Sequence, residues 1–399
     1  MRVLLLAPHP YYQERGTPIA VDLLVRALAG YGCEVDILTY NEGADRSYSG
    51  VRILRLRPLF KVQNVKPGFS FKKLYLDVNM FFRLILQLTR ERYDIVHAVE
   101  EAGFMAMIVC SVVRKPYVLD VDSSMTSQLV DQYGFLAPFS SLLESLEGLP
   151  ARHARAVVTM CDELAKRVLK HRRDGVFVLK DISLVDSARD RVFNLRDIGL
   201  SEDDDPKVVM YIGNLENYQG IDLLLESFVK VTRVDDRVRL IVVGGAEQDV
   251  DRYRAKAMSL SIGSRCHFLG PRPVGDLGAY MRLADVLVSP RVRGTNTPMK
   301  IYSYLDSGVP VVVTNLRTHT QVVTNELAFI ADATPEDFSA KILEAISDPD
   351  SAHAKSRAAR AYVRREHSHE AFQSKVQELI SYVEKHVRTP PNAVRSRWS

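Results

Sequence analysis

The sequence is poor in cysteine, with four in 399 residues. They lie far apart and form no CxxC pair: Cys33, Cys110, Cys161 and Cys266. Structural zinc sites and disulfide frameworks need cysteines at close, paired spacing, so the sequence predicts neither. The same scarcity is typical of a chain that works in a reducing compartment, and we expect a cytoplasmic location.

Long apolar runs are also missing. The longest, at residues 104–113, is too short for a bilayer, which a helix crosses with about 20 residues. The apolar run at residues 3–7 is stopped by Pro8 too early for a signal peptide. The formal net charge is +4, a mild excess that does not call for a nucleic-acid partner. The ordinary composition and the length together favour a globular protein of more than one domain.

The first strand is not followed by the GxGxxG fingerprint of dinucleotide-binding proteins. Residues 2–8 read as a buried strand, a helix is predicted from about 19 to 31, and residues 33–40 read as the next strand. This order predicts a parallel βαβ unit. Ligands of such units sit at the carboxyl ends of the strands, so the loop that holds Gly16 and Thr17 is a candidate ligand loop. A plain connection is the alternative.

Acidic side chains follow two further predicted strands, at residues 93–103 and 115–124. With one histidine, the candidates are His97, Glu100, Glu101, Asp120 and Asp122. Carboxylates grouped at strand ends are candidates for general acid or base work or for binding hydroxyl groups. Asp120 and Asp122 are alternate residues of one strand, a spacing that two ligands of a divalent ion can have but that many strand ends share.

Residues 60–92 mix aromatic and basic side chains. The set is Phe60, Phe69, Phe71, Phe81 and Phe82 with Lys61, Lys66, Lys72, Lys73 and Arg83. A helix is predicted from about residue 71 to 92. Cations beside exposed aromatic rings suit docking on an anionic membrane surface, which predicts a peripheral membrane contact through residues 60–83. The alternative is a crossover helix that packs its aromatic side chains on the sheet.

The strand–helix alternation restarts after an acidic run that ends in Pro206. We therefore predict a first domain at 1–185, a linker at 186–206 and a second domain at 207–370. Residues 371–399 are predicted to form a C-terminal helix that packs back on the first domain, followed by a disordered tail. Both domains are predicted to be Rossmann-like, with doubly wound parallel sheets that face a central cleft.

The stretch from Ser289 to Leu305 carries the densest chemistry. A short buried strand at 285–289 leads into a loop with Arg291 and Arg293, and a helix follows. Thr297 is a good N-cap residue and Pro298 suits the first helical position. The amides of Met299 and Lys300 would then be unpaired first-turn donors, beside the three cations of this stretch. This arrangement predicts a phosphate or diphosphate site. The alternative is an ordinary capped helix with a solvated basic loop.

These segments together resemble the family-4 (group 1) glycosyltransferases of the GT-B fold. The resemblance extends to about residue 387 and is carried by YIGNLENYQGIDLLLESF, VRLIVVGG and ADVLVSPRVRGTNTPMKIYSYLDSGVPVVVT. It implies transfer of a hexosyl residue from a nucleoside diphosphate sugar, with retention of anomeric configuration, to a glycan or lipid-linked acceptor. It also implies that no metal or other cofactor is needed, because basic residues and helix amides hold the diphosphate.

Two positions of the helix depart from the family pattern. Counting back from Gly308 puts Asn296 and Ser303 where relatives often have two glutamates, the first for donor-sugar hydroxyls and the second for the ribose. Neither residue carries charge, so the nucleotide preference stays open. Lys300 lies on the same helical stripe.

The resemblance aligns Asn214 and Gln219 with a pair of basic residues that the family tends to have. We infer that Arg291, Arg293 and Lys300 supply the missing positive charge. Asp122 stands where many relatives have a histidine, and it is predicted to orient the donor sugar or to hold the acceptor hydroxyl.

The predicted site residues fall into three groups. The catalytic candidates are Asp122, Arg293 and Lys300. The donor-binding candidates are Gly16, Thr17, Gly213, Asn214, Arg291, Asn296, Thr297, Pro298, Met299 and Ser303. The acceptor-side candidates are His97, Glu100 and Glu101.

Three other functions fit the same sequence. A nucleotide-sugar epimerase of this fold would bind the donor and consume no acceptor. A non-catalytic nucleotide-sugar binding protein would explain the missing glutamates. A metal-dependent transferase would use Asp120 and Asp122 as ligands, and a chelator would inhibit it.

Overall fold

The computed structural model describes residues 1–14, 16–60, 62–65, 70–185, 192–201, 205–294 and 296–387. The chain divides into two compact units. The first comprises Met1–Lys180 and the residues from Phe372 onward, and the second is Asp181–Ala371. Each unit is built on one fully parallel sheet.

The first unit alternates strands and helices. Its elements are β1 (Arg2–Ala7), α1 (Gly16–Gly30), β2 (Glu34–Thr39), β3 (Val51–Arg55), α2 (Phe71–Arg90), β4 (Ile95–Val99), α3 (Ala102–Val113), β5 (Tyr117–Val121), α4 (Met125–Gln132), α5 (Ser140–His153), β6 (Ala156–Thr159), α6 (Asp162–Leu169) and β7 (Val176–Val178). A 3₁₀ helix at Gly134–Phe139 leads into α5. The strand order is β3-β2-β1-β4-β5-β6-β7.

Right-handed crossovers decide which face of this sheet each helix covers. The chain moves one way along the sheet from β1 to β3 and the other way from β4 to β7. Helices α2, α3, α5 and α6 therefore share the face opposite α1. Their inner sides bury one apolar core against the strands, which includes Leu6, Met80, Met105 and Val157.

The second unit repeats the plan. Its elements are β8 (Lys207–Ile212), α7 (Ile221–Val234), β9 (Val238–Val243), α8 (Glu247–Ser259), β10 (Cys266–Gly270), α9 (Leu277–Met281), β11 (Val286–Ser289), α10 (Lys300–Asp306), β12 (Val311–Thr314), α11 (Arg317–Thr320), β13 (Phe329–Ala331), α12 (Pro335–Ser347) and α13 (Pro349–Glu366). The strand order is β10-β9-β8-β11-β12-β13. The two faces of the sheet each carry an apolar core. The last helix, α14 (His369–Val387), runs from the second unit into the first.

Local signals explain several helix starts. Ser70 caps α2 by accepting a hydrogen bond from the Lys73 amide at 3.2 Å. Thr334 caps α12, and Pro335 stands in its first turn, where its missing N–H costs nothing. The predicted linker also holds a capped 3₁₀ turn at Leu195–Ile198. Ile198 at the end of this turn is fully buried in a core of the second unit.

The prediction of two doubly wound parallel sheets is confirmed. One local prediction is wrong and another is only partly right. Gly16 and Thr17 are not in a loop, because α1 already begins at Gly16. Helix α2 buries Leu76, Met80, Leu84 and Gln87, and of its aromatic side chains only Tyr75 and Phe81 pack against the core. Phe71 and Phe82 are exposed instead.

Some predictions fall outside the described residues. They are Lys61, Lys66 and Phe69 of the aromatic and basic segment, residues 186–191 and 202–204 of the linker, and residues 388–399 of the tail.

The turn before α7 requires glycine. Gly220 has φ of +75°, and a Cβ on it would lie well inside van der Waals contact with the carbonyl oxygen of Pro290. Two separate penalties therefore oppose a side chain here, a left-handed backbone and a clash with main-chain atoms.

We expect Gly220→Ala to lower the free energy of unfolding by at least ~2 kcal/mol, measured by chemical denaturation. Gly30→Ala is the matched control, because a Cβ on Gly30 would meet nothing within 4 Å. Equal stability of the two variants would contradict this account of the turn.

Candidate active site

In each sheet there is one point at which the order of successive strands reverses direction, and we call it the winding point of that sheet. Ligands of open parallel sheets bind at this point, outside the carboxyl ends of the strands. In the second sheet this point lies between β8 and β11, so the loop 213–220 and the segment 290–299 are neighbours. The hydroxyl of Tyr211 donates to the carbonyl oxygen of Asn214 at 2.6 Å. The Asn214 amide lies 3.4 Å from the hydroxyl of Tyr218. The fold thus brings the predicted donor-side segments of the second unit together.

Lys300 is held between these segments. Its Nζ lies 3.9 Å from the centroid of the Tyr211 ring and donates to Oε1 of Gln219 at 3.1 Å. A Cβ on Gly213 would lie 3.2 Å from the same Nζ, so glycine leaves room for the ammonium group. Burial, and then the charge of Arg291, lower the pKa of Lys300 well below its usual value.

Arg291 is buried and braced by its own loop. Its Nε donates to the carbonyl oxygen of Arg293 at 2.7 Å, and its Nη2 lies 3.4 Å from Oδ1 of Asn296. The guanidinium carbon is 5.0 Å from the centroid of the Tyr218 ring. The hydroxyl of Thr314 donates to the Arg291 carbonyl at 2.5 Å, which fixes the main chain as well. Burial lowers the pKa of Arg291.

The sequence predicted that three cations lie close together, and the structure brings together two of them, Arg291 and Lys300. The side chain of Arg293 is exposed, and its carbonyl group, not its guanidinium, contributes to the cluster. Among the described residues of the second unit, no carboxylate forms an ion pair with Arg291 or Lys300. Two desolvated cations without a counter-charge favour an anionic ligand.

The predicted N-cap of the next helix is wrong. Helix α10 begins at Lys300 with Met299 in the cap position, and the Met299 side chain makes no capping hydrogen bond. The Ile301 amide donates to the Pro298 carbonyl at 2.9 Å, so the chain enters the helix through a tighter turn that leaves Thr297 outside it. The Thr297 hydroxyl is buried and has no hydrogen-bond partner among the described residues. It remains available to a ligand.

A buried histidine beneath the cations was missed by the sequence reading. His319 Nδ1 lies 3.0 Å from the carbonyl oxygen of Thr314, and Nε2 lies 3.0 Å from the hydroxyl of Ser289. Burial lowers the pKa of His319 to about 3, and the charges of Lys300 and Arg291 add to this effect. The ring is therefore neutral, with Nδ1 as donor and Nε2 as acceptor. The sequence did contain a signal for this site, because Ser289 and Thr314, the two partners of His319, stand at the ends of adjacent strands.

Ser303 and Tyr304 tie α10 to its surroundings. The Ser303 hydroxyl is buried and accepts a hydrogen bond from the Leu184 amide at 3.0 Å, which leaves its proton for another acceptor. The Tyr304 hydroxyl accepts from the Ile212 amide at 2.7 Å and lies 3.1 Å from the Ile212 carbonyl. The helix that carries Lys300 is thus joined to the end of β8.

The first unit gathers its polar residues at the corresponding edge. His97 Nε2 lies 3.0 Å from Oδ2 of Asp120 on the neighbouring strand, and both residues are buried. Glu100 follows β4 with φ of +52°, and Ser123 donates to its carboxylate at 3.0 Å. Asp122 is buried immediately after β5. The predicted acceptor-side residues therefore lie on adjacent strand ends.

Helix α2 adds two residues to this edge. Lys73 pairs with Glu101 at 2.5 Å, so it belongs to the polar edge and not to the membrane-facing set in which the sequence placed it. Asp77, which the sequence reading missed, accepts from the hydroxyl of Tyr40 at 2.6 Å. Burial, with the nearby Glu101 carboxylate, raises the pKa of Glu100 to about 8 and that of Asp77 to about 7.

Gly16 and Thr17 occupy the first turn of α1, after β1 at the winding point of the first sheet. A Cβ on Gly16 would meet nothing within 4 Å. Among the described residues, no group of three or more His, Cys, Asp and Glu side chains is arranged to hold a metal ion.

Family models match both halves of the chain. The model described as "Glycosyl transferases group 1" matches residues 196–362, and the model "Glycosyl transferase 4-like domain" matches residues 15–178. A similar curated protein is the D-inositol 3-phosphate glycosyltransferase of Corynebacterium efficiens, 25% identical over 347 residues, or 76% of this chain and 78% of that protein.

Solved structures share the fold over nearly the whole chain. Sucrose-phosphate synthase from Thermosynechococcus elongatus superimposes with a TM-score of 0.76 at 17% identity, covering 96% of this chain and 99% of its own. Anabaena HepE, solved in complex with UDP, has a TM-score of 0.70 at 17% identity, covering 96% and 100%. At these identities the likeness shows the fold, which is GT-B.

We expect Glu100 to make stability fall as pH rises. Its folded pKa of about 8 lies above the ordinary 4.5, so between ~pH 5 and ~pH 8 the folded state keeps a proton that the unfolded state has lost. Glu100→Gln stays neutral throughout. The free energy of unfolding of this variant, relative to the unaltered protein, should therefore rise over that range in denaturation series.

Glu326→Gln is the control, because Glu326 is exposed in a turn. A Glu100→Gln difference that stays flat with pH, like the control, would show that Glu100 ionises normally.

Proposed function

The chain belongs to the group 1 glycosyltransferases, and we propose that it moves a hexosyl residue from a nucleoside diphosphate sugar to a hydroxyl of a glycan or lipid-linked acceptor, with retention of configuration. One observation carries the proposal. Arg291 and Lys300 are desolvated at the winding point of the second sheet, and neither has a carboxylate partner among the described residues.

A bound diphosphate would supply the counter-charge that these two cations lack among the described residues. Burying a cation without a counter-charge is unfavourable, and the lowered pKa values of Arg291 and Lys300 express that cost. A bound diphosphate restores the missing negative charge. The buried hydroxyl of Thr297 adds a neutral donor beside them. Similar structures solved with UDP and UDP-glucose support a nucleotide-sugar donor.

The same cations act on the reaction itself. As the bond from the anomeric carbon to the diphosphate breaks, negative charge grows on the leaving group. Preorganised cations bind that charge more strongly in the transition state, by about 10²–10³-fold for each well-placed donor. The acceptor oxygen forms its bond to the anomeric carbon on the face from which the diphosphate leaves, and its proton passes to the departing diphosphate. Retention follows from this front-face path.

The polar edge of the first unit, formed by residues at the ends of β4 and β5, is proposed to bind the acceptor. At neutral pH, Glu100 retains its proton, so it offers both a donor and an acceptor to a substrate hydroxyl. Glu101, His97 and Asp122 complete this side, with Asp122 in the place of a histidine of related enzymes. The burial of His97 and Asp122 suits a site that excludes water.

We propose that the transfer needs no metal ion. The two cations of the second unit do the work that a divalent ion does in metal-dependent transferases. The rival pair, Asp120 and Asp122, has one oxygen of Asp120 already bonded to His97. Activity that survives a chelator supports the proposal, and activity lost on chelation and restored by a divalent ion contradicts it.

A lipid-linked acceptor would bring the protein to the cytoplasmic face of the plasma membrane. A peripheral contact through residues 60–83 belongs to this part of the proposal. Its support is that Phe60, Phe71 and Phe82 are exposed.

The donor is best identified by thermal stabilisation with a panel of UDP-, GDP- and ADP-sugars, because a ligand that binds only the folded protein raises the midpoint. We expect one nucleotide series to stabilise. Lys300→Ala should remove most of this shift and lower turnover more than tenfold, with the fold intact.

Lys230→Ala is the matched control, since Lys230 is a lysine of the second unit that pairs with Glu336. Unchanged turnover in Lys300→Ala would refute the diphosphate assignment. Donor binding without turnover on any acceptor would favour a non-catalytic binding protein, which the uncharged Asn296 and Ser303 make the second candidate. Interconversion of the donor sugar without an acceptor would identify an epimerase.

Donor binding should also take up a proton. Because burial lowers the pKa of Lys300, its neutral amine is populated at a lower pH than usual, and a bound diphosphate raises that pKa again. Affinity for the nucleoside diphosphate that the panel identifies should therefore fall as pH rises through the lowered pKa. Calorimetric titrations in buffers of different ionisation enthalpy measure the uptake. Lys300→Met should abolish it, and equal uptake by both proteins would assign the proton to another group.

A further inference from the structure

Helix α2 has two apolar stripes on opposite sides. Its buried stripe is Leu76, Met80, Leu84 and Gln87. A second stripe of exposed side chains consists of Phe71, Leu74, Val78, Phe82 and Ile85. At ~100° of rotation per residue the two stripes are centred about half a turn apart. Phe71 is 83% exposed and Phe82 65%, so the second stripe is not covered by the sheet.

Two similar stripes occur elsewhere in the same unit, one on the 3₁₀ helix together with α5 and one on α3. The 3₁₀ helix Gly134–Phe139 and α5 expose Phe135, Phe139, Leu142 and Leu146. Helix α3 exposes Ile108, Val112 and Val113, with Val112 at 80%. The sequence reading, which considered residues 60–83 only, found neither.

The three stripes belong to one layer. Right-handed crossovers put α2, α3 and α5 on the same face of the first sheet. Helix α3 packs against both α2 and α5, and the inner sides of all three bury the same core. Their exposed stripes therefore point outward together. We call this set the outer helix surface: Phe71, Leu74, Val78, Phe82, Ile85, Ile108, Val112, Val113, Phe135, Phe139, Leu142 and Leu146.

Cations border this surface. Lys72, Arg83 and Arg90 are spaced 11 and 7 residues apart on α2, so they share one side of the helix, between its exposed and its buried stripe. Arg114 ends α3 and is exposed. None of these four forms an ion pair within the described part of the chain. The acidic neighbour is Glu144, at the α5 end of the surface.

The described residues of the second unit form no such surface. Its exposed large apolar side chains, among the residues described, are the scattered Val192, Val234 and Met258. Contiguous apolar surface rimmed by charge marks an interaction site, whereas single exposed residues are ordinary. No helix in the described ranges combines the length and the apolar character needed to cross a membrane.

We propose that the outer helix surface docks on the face of an anionic lipid bilayer. The apolar side chains of three parallel-packed segments enter the headgroup region, and the cations at α2 and α3 contact the lipid phosphates. The contact is broader than residues 60–83 and has α3 at its centre. Docking itself needs no substrate. Only the purpose of the docking, access to a lipid-linked acceptor, rests on the proposed function.

Cosedimentation of the full chain with vesicles tests the charge. We expect binding to vesicles of phosphatidylglycerol and phosphatidylcholine in equal parts, and weaker binding to pure phosphatidylcholine or at high salt. Each cation near an anionic surface strengthens binding roughly fivefold, so Arg83→Glu with Arg90→Glu should weaken it at least tenfold. Arg233→Glu, an exposed cation of α7, should change nothing.

The apolar part is tested on α5, which the charge variants leave intact. Phe135→Ser with Phe139→Ser should weaken binding to both kinds of vesicle at least tenfold, because the rings no longer enter the headgroup region. Val234→Ser with Met258→Ser is the matched control in the second unit. Stabilisation by the nucleotide sugar that the panel identifies should be the same in all four variants and reports on the donor site separately.

Three results would overturn the docking surface. The first is no vesicle binding by the unaltered protein at moderate salt. The second is unchanged binding in the Phe135→Ser, Phe139→Ser variant. The third is a dimer in solution that this variant converts to a monomer, which would identify a second copy of the chain as the occupant. Absence of stabilisation by any of the UDP-, GDP- and ADP-sugars, with vesicle binding intact, would count against the donor assignment alone.

Discussion

The proposed chemistry of this protein depends on two desolvated cations, Arg291 and Lys300, that form no ion pair with a carboxylate among the described residues. Lys300 is held against the Tyr211 ring and Gln219, and Arg291 is braced by its own loop. Neutral partners fix their positions without cancelling their charge. A carboxylate in place of Gln219 would neutralise the charge of the Lys300 ammonium group and weaken its attraction for a phosphate. The empty side-chain position at Gly213 gives the ammonium group its space.

Burial shifts the pKa values of key residues in opposite directions in the two units. In the second it lowers the pKa of Lys300, and in the first it raises those of Glu100 and Asp77. The cause is the same, since low dielectric surroundings disfavour whichever form is charged. One unit thus holds cations that call for an anionic ligand, and the other holds protonated acids suited to neutral hydroxyls. This contrast fits the proposed function, in which the donor is a charged diphosphate sugar and the acceptor group is a neutral hydroxyl.

One layer of helices serves two purposes in the first unit. The inner sides of α2, α3 and α5 build the core, and their outer sides form the outer helix surface. The polar edge uses α2 as well, through Lys73 and Asp77. A single helix therefore links the sheet, the proposed acceptor side and the proposed membrane contact.

The sequence by itself determined the two parallel sheets, because buried strands and amphipathic helices alternate with periods that a reader can count. It also identified the loops at the strand ends, and with them Arg291, Lys300 and Glu100. It misplaced Thr297, since a cap depends on how the backbone enters the helix and not on residue type alone. Only the tertiary structure joined Lys300 to Gln219, 81 positions away, and put neutral His319 beneath them. Such pairings depend on which strands are neighbours in the sheet, and strand order is a property of the folded chain.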